Sequence, residues 1–222
     1  MNARARARAA AVLALALAAR DGRGADDGPP AVFDVRKFQP VEGPSSGPAV
    51  YYSVVEEGSG AILRGTYRPG LETVAMGIEV PEPLRKRARL LRWRWRVRAF
   101  PVGGNECRAG RGDSAASVVA AFKRGLRWYM LKYVWSPLAP LGAVCDRKRT
   151  LLLVRDTIVL ESGGAPGTWL NEVVDVHQSF IDHFAGGNRN ADVPDLVGIA
   201  VLTDGDQTHS EASADWTAFQ LE

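Results

Sequence analysis

Asp204, Asp206 and Thr208 stand at alternate positions directly after the apolar run Val197 to Leu202. Oxygen-bearing side chains spaced by two in a tight turn, with Gly205 free to take an unusual backbone angle, can converge on a hard cation such as calcium. The full twelve-residue calcium loop is absent, because no glutamate closes it in register. The competing reading is a turn whose carboxylates accept backbone N–H bonds and hold the end of a strand. Asp113 is expected to approach either this turn or the arginines of residues 92–98.

Those arginines form the second constellation. In Leu90 to Phe100, LLRWRWRVRAF, Trp93, Trp95 and Val97 share one face of a strand and Arg92, Arg94, Arg96 and Arg98 the other. Trp128, Tyr129, Tyr133 and Trp135 cluster on or beside another strand. An aromatic face beside guanidinium and carboxylate groups suits a sugar, whose C–H face stacks while its hydroxyls hydrogen-bond. Arg94, Arg96, Asp113, Tyr133 and Trp135 are therefore the candidate ligand-binding residues. Against this stands a plainer reading, in which Tyr133 and Trp135 share a core face by period two and the arginines make structural ion pairs.

Catalytic groups are sparse. His177, His183 and His209 are the only histidines, and no HExxH, GxSxG, P-loop or GxGxxG pattern occurs. Two carboxylates such as Glu172 and Asp206 can hydrolyse a glycoside when suitably separated, but nothing in their spacing brings them together. No catalytic residue is assigned.

The elements that must position these groups are mostly strands. Short β-like runs bounded by Gly, Pro, Asn or Asp recur at 31–35, 49–55, 60–67, 73–79, 90–100, 117–123, 131–135, 150–160, 197–203 and 214–221. Val173, Val176, Phe180 and Phe184 instead follow helical spacing, which predicts one substantial helix over 172–184, stopped by Gly186-Gly187. The basic run at 85–89 is expected to be an exposed loop.

Arg4, Arg6 and Arg8 precede the unbroken apolar run Ala9 to Ala19, which has the form of a secretory signal. Residues 1–25 are read as signal peptide and leader, 26–30 as a disordered linker and 31–222 as a single domain, periplasmic or secreted. Removing the five arginines and one aspartate of residues 1–25 leaves 23 basic and 24 acidic side chains. The formal charge of +3 thus belongs largely to the leader, and no global field draws the domain onto a nucleic acid. No stretch approaches the about 20 apolar residues needed to cross a bilayer, so the chain is not read as membrane-embedded. Cys107 and Cys145 fit an exported protein with one disulfide, although neither flank dictates their proximity, and two thiols are the alternative.

From residue 90 onward the order of segments resembles a bacterial family known as domain of unknown function 3047. The landmarks are Leu91 to Val97, then Arg111-Gly-Asp-Ser114 before the strand Ser117 to Phe122, and Lys132-Tyr-Val-Trp-Ser136. Ile158 to Gly163 follows, with Trp169, Glu172 and Val176 opening the helix, and Gly198 to Thr208 comes last. From residue 90 to the C-terminus the resemblance covers about 130 residues. The chain resembles a divergent member: Gly112-Asp113-Ser114 stands where a glycine and two acidic residues are usual, and Ser179 where the helix has an aspartate.

The resemblance implies a jelly-roll-like antiparallel β-sandwich exported to the periplasm or cell surface, and brings no biochemical activity with it. The chain is read as a non-catalytic sandwich that binds a glycan or another cell-envelope component and carries no cofactor, with calcium at Asp204, Asp206 and Thr208 as the one candidate ion. The alternatives are a metal-dependent hydrolase of envelope polysaccharide, using Asp113, Asp204 and Asp206, and a structural or assembly partner in the envelope.

Overall fold

The computed structural model describes residues 29–41, 47–58 and 60–222. The expected signal peptide and leader, and most of the linker, lie outside the described residues. Among these, thirteen strands run in chain order: β1 Ala31–Phe33, β2 Gln39–Val41, β3 Tyr52–Glu57, β4 Gly60–Tyr67, β5 Ala75–Glu79, β6 Leu90–Ala99, β7 Ala116–Arg124, β8 Arg127–Ser136, β9 Val144–Arg149, β10 Leu153–Ser162, β11 Leu170–Asp175, β12 Asp195–Leu202 and β13 Ala212–Leu221. The short α1 Glu82–Arg85 precedes β6, and α2 Val176–Phe184 follows β11. No helix among the described residues is long and apolar enough to cross a membrane.

The strands form two sheets. One has the order β11-β6-β13-β4-β3, with β1 also on β13, and the other the order β2-β5-β12-β7-β8-β10-β9. Their facing surfaces share one apolar core, so the fold is a β-sandwich, as the many short strand runs suggest, and jelly-roll-like, as the family resemblance implies. In β6 the alternation holds residue by residue: Leu91, Trp93, Trp95 and Val97 are buried, while Arg94 and Arg98 are exposed. Trp95 lies opposite Trp216 of β13 within its sheet and meets Trp135 of the other sheet at 5.8 Å. Burying an aromatic of this size removes about 150–250 Å² from water, worth roughly 4 to 6 kcal/mol at about 25 cal/mol per Å².

The expected helix is shorter than its apolar spacing predicts. Residues 170–175 form β11, an edge strand antiparallel to β6, and α2 begins only at Val176. Leu170, Glu172 and Val174 alternate with the exposed Asn171, Val173 and Asp175, a period of two that coexists with the helical spacing of Val173, Val176 and Phe180. Asp175 sets the boundary, since its carboxylate caps the helix by accepting from Gln178 N at 2.7 Å.

The sheets are not wholly antiparallel either. After β8 the chain runs out to the edge as β9 and returns as β10 between them, parallel to β8 and antiparallel to β9. The disulfide Cys107–Cys145, with Cα atoms 4.8 Å apart, ties the loop after β6 to β9. In the basic run read as a loop, Arg85 ends α1 and donates Nε to the Val80 carbonyl.

Candidate ligand-binding face

The outer face of the six-stranded sheet carries an ordered charge lattice. Asp215 of β13 lies between Arg96 of β6 and Arg64 of β4 in register, and is fully buried. Its carboxylate accepts from Arg64 Nε at 2.7 Å and Nη2 at 3.0 Å, and from Arg96 Nε at 2.7 Å, with Arg98 at 3.6 Å. The far end of Arg96 forks onto Glu57 of β3, at 3.1 and 2.6 Å. These hydrogen bonds and the Arg96 charge hold the Glu57 carboxyl below its ordinary pKa.

Over this lattice lies Trp169, carried in by the loop between β10 and β11. The Arg96 guanidinium sits 4.5 Å and that of Arg94 5.2 Å from its ring centroid, so two cation–π contacts fix the indole's orientation. Beside it is a hollow of about 190 Å³ lined by Glu57, Ala61, Arg94, Trp169, Thr217 and Ala218, among others. Ala218 takes φ 55°, a left-handed angle uncommon for alanine, where β13 bulges between Thr217 and Gln220. Arg94 and Arg96 were legible as candidates in the strand pattern. Trp169, Glu57 and Asp215 carry no comparable signal in the sequence, although Asp215 alternates with Ala214 and Trp216 along β13.

Tyr133 and Trp135 are not part of this face. Both point inward from β8 of the opposite sheet, at 1% and 3% exposure, and pack on Trp93 and Trp95 at 6.0 and 5.8 Å. The period-two alternation of β8 makes them core, and the expected grouping with Arg94 and Arg96 does not form. Burial pushes the Tyr133 hydroxyl well above its ordinary pKa.

Asp113 goes to the acidic turn, not to the arginines. Fully buried, it accepts from Thr208 N and Thr208 Oγ1, both at 2.6 Å, and from Gln207 N at 3.2 Å. Asp113, Asp204 and Asp206 each offer a carboxylate oxygen within 4.8 Å of the others. Thr208, expected among the cation's ligands, instead donates its hydroxyl to Asp113. Asp204 accepts from Thr73 Oγ1 at 2.9 Å. Burial pushes its carboxyl up to about 6, against the pull of the buried Lys132 and with a push from Asp206 and Asp113. A cation would suit three such carboxylates, but Asp113 already receives three donors and Lys132 already supplies positive charge.

The carboxylate that perturbs Glu172 is Glu161 of β10, not Asp206. Glu172 accepts from the indole Nε1 of the buried Trp95 at 2.9 Å. Burial pushes its carboxyl up to about 7, opposed by that hydrogen bond and aided by the Glu161 charge. A second depression, of about 570 Å³, lies over Tyr51, Tyr52 and Arg68. Both of its phenol hydroxyls already donate to the Val74 carbonyl at 3.0 Å.

No curated protein matches the chain. Solved structures with some similarity include the xyloglucanase domain of NopAA, a type three effector from Sinorhizobium fredii, in complex with cellobiose. It is 12% identical with TM-score 0.47, over 88% of this chain and 96% of that one. Endoglucanase cel12A from Rhodothermus marinus is 12% identical with TM-score 0.40, over 87% and 98%. A family 11 carbohydrate-binding module from Clostridium thermocellum, in complex with a β-1,3-1,4-mixed-linked tetrasaccharide, is 8% identical with TM-score 0.37, over 90% and 91%. Similarity at this level transfers no function. The family model described as Protein of unknown function (DUF3047) matches residues 48–220, a span that contains every landmark segment, and the chain belongs to that family.

Proposed function

We propose that the protein binds a glycan or a similar cell-envelope component, without transforming it, in the hollow beside Trp169. One observation carries this reading: an aromatic ring, held in place by two guanidinium groups, lines a hollow on the outer face of a rigid sheet. Fixing the ring before the ligand arrives lowers the entropy lost on binding. At about 190 Å³ the hollow is smaller than the roughly 300–1,000 Å³ of a pocket for a drug-sized molecule. It therefore suits one ring of a longer chain. Export to the periplasm or cell surface belongs to the same proposal, supported by the leader's form and by a disulfide that persists in an oxidising compartment.

Titration calorimetry against soluble polysaccharides tests the reading. Trp169→Ala is expected to lower affinity at least about fivefold, since stacking on an aromatic face is worth on the order of 1 kcal/mol or more, while leaving the fold's melting temperature nearly unchanged. Undiminished binding by that variant would remove the site, and the proposal with it.

A further inference from the structure

We infer that the ligand of this hollow is anionic: a saccharide whose ring lies on Trp169 and whose acid group is taken by Arg94. The inference rests on the proposed binding role and names the ligand class for the same site. It comes from the way the outer face distributes its charges. Arg64, Arg96 and Arg98 converge on Asp215, and Arg96 also forks onto Glu57. Both carboxylates of the lattice are thereby engaged, and the three guanidinium groups share them. Arg94 stands apart. It is exposed, forms no ion pair among the described residues, and lines the hollow with its guanidinium against the Trp169 ring.

Counted over the lattice, four arginines face two carboxylates, and the uncompensated charge lies where the hollow opens. Its neighbours in register, Asn171 of β11 and Thr217 of β13, are uncharged. A neutral sugar can use the Arg94 guanidinium only as a hydrogen-bond donor to its hydroxyls and leaves the charge unmatched. An acid group does, because the planar fork of arginine matches a carboxylate with two parallel charge-assisted hydrogen bonds. The Trp169 contact keeps that fork from wandering. Glu57, the one carboxylate among the described residues that line the hollow, does not repel such a ligand strongly, since Arg96 covers both of its oxygens.

Three probes separate the ligand class from the binding role: a hexamer of galacturonic acid, its methyl ester with the charge removed, and neutral cellohexaose. Calorimetry at low salt is expected to find the acid bound at least about tenfold more tightly than its ester, with the preference shrinking as salt rises. Arg94→Gln should lower affinity for the acid by about 10- to 100-fold, the range for a hydrogen bond to a charged group, without weakening the ester. Arg94→Lys should recover only part of the loss, because it restores charge without the fork. Trp169→Ala should weaken all three probes.

Equal, Trp169-dependent binding of acid and ester would overturn the anionic assignment and leave the binding role standing. So would an Arg94→Gln variant that keeps its preference for the acid. Binding of none of the probes would count against both.

Discussion

At the scale of single residues, the molecule's most consequential charges are buried. Asp215 serves three guanidinium groups from a position with no exposure. Removing it strands them, and because the arginines stay 12–43% exposed the loss is that of hydrogen bonds to a charged group, about 1.5 to 3 kcal/mol. Asp215→Ala is expected to lose stability in that range by urea denaturation, and to loosen Trp169 through Arg96. Asp204 and Glu172 set the pH response. Both fold with a raised pKa, about 6 against 3.8 and about 7 against 4.5, so the native state holds their protons more tightly than the unfolded chain.

The sign follows from linkage. The stabilisation by Asp204 is complete below about pH 4 and is lost as pH rises through 6, on the order of 3 kcal/mol. Glu172 acts in the same direction between about 4.5 and 7. The domain should melt higher at pH 5 than at pH 8, and Asp204→Asn should flatten that difference. A melting temperature that rises from pH 5 to pH 8 would contradict the buried state of both groups. At the turn itself, millimolar calcium is expected to leave the melting temperature unchanged, because Asp113 already holds three donors and Lys132 neutralises part of the charge. An upward shift abolished by Asp204→Asn and Asp206→Asn would make the turn a cation site.

At the scale of elements, legibility tracked how cleanly burial alternated. β6 was readable because every inward residue from Leu91 to Val97 is large and apolar and every outward one is arginine. β9, with its run Asp146 to Arg149, presents no apolar alternation, as suits an edge strand. β2 is three residues around Pro40, a residue that sheets tolerate at an edge. β11 was hidden because its inward positions include Glu172, there to accept the Trp95 indole hydrogen, so the neighbouring valines matched a helix better than a strand. Sequence distance hid the role of Trp169. Its partners lie about 75 residues earlier in the chain, and only the passage from β10 to β11 brings it over β6. Glu172→Leu, which leaves the Trp95 N–H unpaired, should cost about 1 to 3 kcal/mol, whereas Glu172→Gln keeps an acceptor and should cost less.

At the scale of the whole molecule, the single covalent cross-link joins a surface loop to an edge strand. Closing a loop of 38 residues contributes roughly 3 to 4 kcal/mol on the chain-entropy model. Replacing both cysteines by serine is then expected to lower the melting temperature by roughly 6 to 16 °C. The parallel seam between β8 and β10 gives that cross-link a kinetic meaning as well. β10 is bordered on both sides by strands that precede it, so its berth exists only once β9 has moved out by a strand's width and been held there. With Cys145 tethered to Cys107, β9 is expected to be held away from β8 before β10 docks, which shortens the search for the berth. Without the tether, β8 and β9 are free to pair directly and close it. The double serine variant should therefore refold markedly more slowly in stopped-flow measurements while unfolding at nearly the parent rate, a cross-link felt chiefly in the order of assembly.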